Sequence, residues 1–403
     1  MMSRATEQKP VRVLYVSMQM KEETCKRLFA DAPVPPSQAA QKYNRLMAQG
    51  LAKAGAEVIA ITPPPVSRQT CKRRFVSLGQ ERADGVNYRY LPIVNLPLIK
   101  AAVVVITSFF TTLSALHQNA YVLCDGLAIA ASCGARIAAK LRHRPCTVIV
   151  TDIPDQLTGG STCVSSFNMR ELTRYDGYLL LTETMNALVN PHGRPKIVAE
   201  GLVDASLHSR HNILAQKHAE KVCLYAGMLH EKYGILRLVQ AFSTLADQQA
   251  RLVIYGTGDS VTAIAAAAKA DPRIEYRGVA ENAIVVHEEF AATLLINPRP
   301  THEAFASDSF PSKNLEYMAS GTPVLTTRLP GMPQAYEEFV YLMDDETPEG
   351  MAQTLRTVLA LPRETLHEKG LSAKAFVLTY KNNILQAGRV LTFMEGLDPW
   401  KTC

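Results

Sequence analysis

Cysteine is sparse in this chain: there are eight in 403 residues, and no two form a Cys-x-x-Cys pair. That spacing argues against a dithiol redox site and leaves structural zinc without its usual ligand pairs. A disulfide scaffold would need far denser cysteine, so reduced thiols in a cytosolic protein are expected, with Cys124 and Cys133 as buried small hydrophobes. The first ten residues, Met1 to Pro10, lack the apolar run of a secretory signal and read as a short polar leader. Internal repeats and low-complexity tracts are missing too. No Gly-x-Gly-x-x-Gly loop follows the first strand, which disfavours an NAD-dependent dehydrogenase. Disorder is excluded by the balance of 47% hydrophobic against 20% charged residues. Acidic charge is scarce at the front. Residues 1–120 hold 16 Lys and Arg against 7 Asp and Glu, a balance of +9, while the whole chain carries +6. The remainder is therefore mildly acidic, and whatever the basic charge does, the front of the chain does it.

Residues 101–124 contain no Lys, Arg, Asp or Glu. A spanning helix needs about 20 predominantly apolar residues. Here Thr107, Ser108, Thr111, Thr112 and Ser114 dilute the run, and His117-Gln118-Asn119 interrupts it. Val103, Ile106, Phe110 and Leu113 recur at helical spacing, while Thr107, Thr111 and Ser114 mark a more polar face. An amphipathic core helix is the expectation; a membrane-surface helix and a spanning helix are the other readings.

Length alone suggests about two to three domains, and the pattern of elements suggests two. Val11–Val16 is a β-rich run, Gln38–Ala54 a helical stretch ending at Gly55, and Glu57–Thr62 a second strand stopped by Pro63-Pro64-Pro65. Strand, helix, strand in some fifty residues is the unit of a parallel sheet. It continues through Ala120–Cys124, Gly126–Leu141, Cys146–Thr151 and Tyr178–Thr182. A second series starts with Val222–Ala226, then a helix at Ile235–Leu245 and a strand at Arg251–Tyr255 closing on Gly256-Thr257-Gly258. Ile274–Tyr276, Thr293–Ile296 and Pro323–Thr326 read as further strands. The fold class is therefore α/β: two doubly wound, Rossmann-like parallel-sheet lobes, 1–200 and 201–374, with the final helix of 375–403 returning to the first. The linker near Gly201–Ala219 holds His208, His211 and His218, which read as linker rather than a metal site. In such folds ligands sit at the carboxyl ends of the strands, and the space between the lobes is the default site.

The most informative segment is Asn297 to Gly331, NPRPTHEAFASDSFPSKNLEYMASGTPVLTTRLPG. Ser312 reads as the N-cap of a helix from Lys313 to about Ser320, with Gly321 as its terminator. The free N–H groups of that helix start, beside Ser309, Ser312 and Lys313, suit a diphosphate. Asp308 lies before the helix and Glu316 one turn inside it, and a carboxylate suits a pair of vicinal hydroxyls. Singly, Ser312 could merely cap the helix and both acids could be solvated; the combination favours a site.

The segment resembles the donor-site signature of retaining glycosyltransferases of the GT-B fold, in the large family-4 group. Their pattern is two acids separated by seven residues, followed by a helix and a Gly-x-Pro-Val strand. Asp308 and Glu316 hold those places, with Asp in place of the more usual first Glu. The variant Ser309-Phe310-Pro311-Ser312-Lys313 with Glu316-Tyr317-Met318 looks like a bacterial branch that builds capsule and other cell-surface polysaccharides. The resemblance is close over Tyr225 to about Tyr341. It implies that Glu316 binds the nucleotide ribose, that Asp308 faces the donor sugar, and that Ser309, Phe310, Ser312 and Lys313 line the donor site. It further implies two lobes facing across a cleft, retention of anomeric configuration, and a cytoplasmic protein.

Tyr225 to Gly234 matches the first strand and phosphate loop of the donor lobe, with Gly227 as its first glycine. Many relatives carry Arg right after that glycine; Met228 stands there instead. Lys232 is one residue earlier than the commonest Lys. Phosphate charge then falls to Lys232, with Arg299 and Lys313, although a solvated lysine at a helix start also explains Lys232. Gly256 and Gly258 resemble the loop beside base and ribose, where glycine lets backbone approach the nucleotide. In the front half, Asp152 of Thr151-Asp152-Ile153-Pro154-Asp155 resembles an acidic cleft loop and is the candidate for handling the acceptor hydroxyl. Asp155 is equally explained by its turn.

Sugar transfer builds positive charge on the sugar, as in glycoside hydrolysis, and negative charge on the departing phosphate. Lys232, Lys313 and the helix start could stabilise the latter by preorganised electrostatics. No cofactor or metal is expected; a UDP- or GDP-linked sugar is the co-substrate. The acceptor is expected to be a saccharide or a polyprenyl-diphosphate-linked saccharide. Charge alone would admit nucleic acid, but no binding motif supports it. The basic front fits a peripheral contact with an anionic membrane better. A nucleotide-sugar epimerase of the same fold and a non-catalytic nucleotide-binding scaffold are the rival readings.

Overall fold

Short β-branched and apolar runs become strands, and the stretches between them become helices that cover both faces of two parallel sheets. The computed structural model describes residues 10–32, 38–97, 99–153, 163–303, 306–307 and 310–398. The chain divides into two units, Met1–Leu202 together with Asn383–Cys403, and Val203–Asn382. The boundaries drawn from sequence at residues 200 and 374 thus shift to 202 and 382.

In the first unit the described residues form strands β1 (Arg12–Val16), β2 (Glu57–Thr62), β3 (Phe75–Val76), β4 (Gln80–Ala83), β5 (Val86–Tyr90), β6 (Ile93–Val94), β7 (Ala120–Asp125), β8 (Cys146–Val150), β9 (Gly177–Leu180) and β10 (Lys196–Val198). Eight of them make one sheet in the order β10-β9-β8-β7-β1-β2-β5-β4, with β3 and β6 forming a separate ribbon. Every pairing in the large sheet is parallel except β4 with β5. β1 lies between β2 and β7, so the order reverses there, and the crevice outside its carboxyl end is where such a sheet binds ligands. The helices include α1 (Glu22–Leu28), α2 (Gln38–Lys53), α3 (Ile99–Ala115), α4 (Ile129–Leu141), α5 (Cys163–Leu172) and α6 (Thr184–Val189).

The second unit carries β11 (Lys221–Ala226), β12 (Ala250–Tyr255), β13 (Ile274–Tyr276), β14 (Leu294–Asn297), β15 (Val324–Thr327) and β16 (Tyr341–Met343). All pair in parallel, in the order β13-β12-β11-β14-β15-β16. The reversal falls between β11 and β14. The covering helices include α7 (Ile235–Ser243), α8 (Val261–Ala270), α9 (Asn282–Ala291), α10 (Ser312–Ser320), α11 (Pro348–Leu359) and α12 (Arg363–Tyr380). Leu224, Ile254, Leu295 and Leu325 are fully buried in the sheet, with Leu238 and Phe242 of α7 against it. The segment expected as one final helix, 375–403, instead takes in the end of α12 and a separate helix, α13 (Asn383–Gly396), in the first unit.

Two expectations are corrected by packing. The apolar stripe of α3 does not face the core. Val104, Ser108, Thr112 and Ala115 are buried, while Ile106 and Phe110 are 54% and 62% exposed. The reason is the close approach of α3 to α4, which only small side chains permit. A Cβ on Gly134 of α4 would collide with the Val105 carbonyl, and the Ser108 hydroxyl donates to the Ala131 carbonyl at 2.7 Å. The spanning reading of residues 101–124 also fails: among the described residues no helix is long and apolar enough to cross a membrane.

Candidate functional site

At the carboxyl end of β11 the chain turns through Gly227, and Tyr225 Oη fixes the turn by donating to the Met228 carbonyl at 2.8 Å. Gly227 N–H donates to the Tyr255 carbonyl of β12, and Leu229 N–H to Thr257, so this loop is laced to the one after β12. A Cβ on Gly256 would collide with the Gly227 carbonyl, and one on Gly258 with the Leu229 backbone. The neighbouring loop thus requires both glycines of Gly256-Thr257-Gly258 on its own account. Gly234, at φ +79°, turns the chain into α7 with its Cα against the Pro298 carbonyl, which joins the β11 loop to the β14 loop.

α10 is set against these loops by hydrogen bonds that the sequence reading missed. Tyr317 Oη accepts from Ala226 N–H at 2.9 Å, at the end of β11. Asn297 at the end of β14 donates to Asn314 Oδ1 at 2.7 Å, and Asn314 in turn donates to Thr326 Oγ1 of β15 at 3.2 Å. One helix is thereby tied to three strand ends. The signal was available in the sequence, since Asn314 and Tyr317 lie three apart and share a face, but nothing there said which face met the sheet. Ser312 is not the N-cap. Pro311 takes that place without a side-chain cap bond, and Ser312 is the first helical residue, with its N–H turned back to the Phe310 carbonyl. Gly321 terminates the helix in the left-handed region at φ +80°.

The gathered side chains are mostly cationic. The Lys313 ammonium lies 4.1 Å from the Tyr225 ring centre and occupies the space that any side chain on Gly227 would need. Lys232 Nζ and the Arg299 guanidinium both stand within 6 Å of the Tyr233 ring, at 5.4 and 5.7 Å. Burial pulls the Lys313 pKa down to about 8, with the positive charge of Arg299 acting the same way; Glu316 and Glu289 oppose it. Gly227, Lys232, Arg299, Lys313 and Glu316 are therefore brought to one end of the sheet. Glu316 is exposed on the first turn and a half of α10. Phe310 is different. It is 3% exposed and packs on Tyr336 at 5.5 Å, so its ring supports the loop and offers no ligand face. Asp308 and Ser309 lie outside the described residues. Beside the loops, His230 Nδ1 pairs with Asp259 Oδ2 at 2.9 Å, a contact that the sequence reading did not anticipate.

In the first unit Asp152 is half-buried just beyond the end of β8. It acts on a second acid missed from sequence, Asp125, the last residue of β7. Asp125 accepts from Leu127 N–H at 2.9 Å and from the Asn44 amide at 3.0 Å. Burial raises its pKa to about 6, and the nearby charge of Asp152 adds to the rise.

Residues 220–360 match the profile of the family described as glycosyl transferases group 1. No curated protein matches the chain by sequence. Among solved structures, the chain is similar to a sucrose-phosphate synthase from Thermosynechococcus elongatus, with TM-score 0.66 and 16% identity, covering 96% of this chain and 100% of that one. It is similar to an α,α-trehalose 6-phosphate synthase from Burkholderia multivorans, with TM-score 0.65 and 12% identity over 98% of each chain. The Anabaena protein HepE in complex with UDP-glucose aligns with TM-score 0.61 and 14% identity, covering 95% of this chain and 99% of that one. At these identities the likeness shows the fold, which is that of the GT-B proteins. The profile match, over the segment that builds the site just described, supports a transferase.

Proposed function

We propose that this chain is a retaining glycosyltransferase that moves a hexose-type sugar from a UDP- or GDP-linked donor to a saccharide or lipid-linked saccharide, in the synthesis of cell-surface polysaccharide. One observation carries the reading. The segment matching the glycosyl transferases group 1 profile holds the Gly227 loop, the Lys313 ammonium and the start of α10 together where its own strand order reverses. An anion placed there meets the positive end of a helix dipole and the Lys313 ammonium. In this reading the departing diphosphate lies against Gly227 and is neutralised by Lys313, Lys232 and Arg299, without a metal. Ser309 and Ser312 add hydroxyl donors. Glu316 holds the ribose hydroxyls, Asp308 the hydroxyls of the donor sugar, and Asp152 accepts a hydrogen bond from the acceptor hydroxyl. The complex of the Anabaena protein with UDP-glucose supports a nucleotide sugar as donor.

Labelled UDP- and GDP-sugars incubated with an acceptor panel test this. Nucleotide release that needs both acceptor and Glu316, with the donor's anomeric configuration kept in the product by NMR, is expected. Release or sugar alteration from donor alone would favour the epimerase, and no release with any acceptor would leave the transferase reading untenable.

A cytoplasmic protein working at the inner face of the plasma membrane is part of the same proposal. Lys72, Arg73, Arg74 and Phe75 are all exposed, and β6, which pairs with β3, leads into α3 with its exposed Ile99, Ile106 and Phe110. Basic residues beside an apolar helix face suit an anionic bilayer surface. Charge reversal at Arg73 and Arg74 is expected to weaken co-sedimentation with anionic vesicles by about fivefold or more per cation. Unchanged co-sedimentation would rule this contact out.

A further inference from the structure

The first unit contains a cavity of about 580 Å³ that the donor chemistry leaves unused. It lies where the strand order reverses at β1, and Met18 after β1, Pro63 after β2 and Leu127 after β7 line it. Its walls are mainly aliphatic, completed by Val104 of α3 and Ala130 of α4. No Asp or Glu lines it, whereas Lys100 and Arg68 do. Lys100 is half-buried and its ammonium donates to the Val66 carbonyl. Burial alone lowers its pKa, with no carboxylate acting on it. Gln19 and Thr62, next in sequence to the lining residues Met18 and Pro63, are fully buried, and their side-chain polar atoms find no hydrogen-bond partner.

A half-buried cation in an apolar cavity, with no carboxylate to answer it, calls for an anion delivered by an apolar body. The size is that of a small-molecule site. We propose that this cavity binds the phosphate-proximal part of a lipid-phosphate acceptor, its first apolar carbons against Val104 and Ala130 and its phosphate against Lys100 and Arg68. The assignment deepens the acceptor half of the function proposed above and rests on it.

Isothermal titration of the whole chain with farnesyl phosphate, farnesol and inorganic phosphate tests the site, with UDP or GDP titration as a separate control on the donor site. Farnesyl phosphate is expected to bind, and each of the other two at least about tenfold more weakly, because each lacks one half of the recognised chemistry. Lys100→Gln should cost farnesyl phosphate about tenfold and leave farnesol unchanged. Ala130→Trp should exclude both. Nucleotide affinity should be unaffected in either variant, and thermal melts check that each folds. Should Ala130→Trp fail to fold, Lys100→Gln with the ligand series still decides. Absence of farnesyl phosphate binding, equal binding by Lys100→Gln, or equal binding of inorganic phosphate overturns the proposal. These outcomes are separable from failure of the transferase reading, which appears as absent nucleotide turnover with soluble saccharide acceptors whether or not farnesyl phosphate binds.

Discussion

The Lys313 ammonium fills the volume that a side chain on Gly227 would take, so the loop glycine and the helix lysine act as one device. The atom in the way is the far end of a flexible side chain. Gly227→Ala should therefore displace the ammonium, and at φ +157° it should also strain the loop backbone. Nucleotide diphosphate affinity is expected to fall about tenfold, as a charge-assisted contact would, in a variant whose thermal midpoint drops but stays above the assay temperature. Because the Lys313 pKa is held at about 8, the cation is present below that pH and lost above it. Affinity for UDP or GDP should thus decline between pH 7 and 9 in the wild type and stay flat over that range in Lys313→Met; a flat wild-type profile would refute the assignment. Asp125 works in the opposite sense on stability. Its folded pKa, about 6, lies above the ordinary 3.8, so the folded state binds the extra proton. Stability is therefore lost as pH rises from 3.8 through 6 and stays lost above. Asn at this position keeps an acceptor for Leu127 N–H, and its amide N–H donates to Asn44 Oδ1 once the Asn44 amide flips and donates its own Nδ2 to Tyr15 Oη. Asp125→Asn should be more stable than wild type at pH 8 by up to about 3 kcal/mol, and equal to it near pH 4, by urea melts at the two pH values.

At the scale of elements, the strand ends are rigid because α10 is bonded to three of them. Removing the Tyr317 hydroxyl leaves Ala226 N–H without its acceptor at the end of β11. Tyr317→Phe is expected to cost about 1–3 kcal/mol in denaturant unfolding, and an unchanged midpoint would show the bond to be idle. The sequence made the parallel-sheet pattern legible because buried parallel strands are continuous apolar runs; strands such as Ile274–Tyr276 appear where periodicity put them. It left the direction of helix faces open. The stripe Val103, Ile106, Phe110 is as periodic as its neighbour Val104, Ser108, Thr112, and only the close fit to Gly134 decides which is inside. The hairpin of β4 and β5 was missed although Asp84-Gly85, both at positive φ, is a strong two-residue turn signal. Of the candidate site, the resemblance pointed to Gly227 and Lys313, which the fold brings against each other. Asp125, Asn314 and Tyr317 were not legible, because their roles depend on contacts across 81, 17 and 91 residues of chain.

The whole molecule is discontinuous in sequence, since the first unit is completed only by the last helix. The Asn383 amide donates to the Leu46 carbonyl of α2 at 2.9 Å, and Gly50 lies so close to the Asn383 carbonyl that a Cβ there would collide with it. Ala387, Val390 and Met394 are buried in the same unit. Covering these side chains stabilises the first unit by roughly 5 kcal/mol, at about 1.5–3 kcal/mol for each large one, a sizeable part of the margin of a single domain. The second unit ends its own sheet on β16, and its buried core cluster draws on α11 and α12. A chain ending at Tyr380 should therefore lose hydrogen-exchange protection across α2 and β1 while β11, β12 and β14 keep theirs. Gly50→Ala, which keeps every residue but forces α2 from α13, should shift the same segments in the same direction and by less. Equal loss in both units would mean that they unfold as one, and no loss in either would mean that α13 is an appendage; only selective loss fits a first unit that the final helix completes.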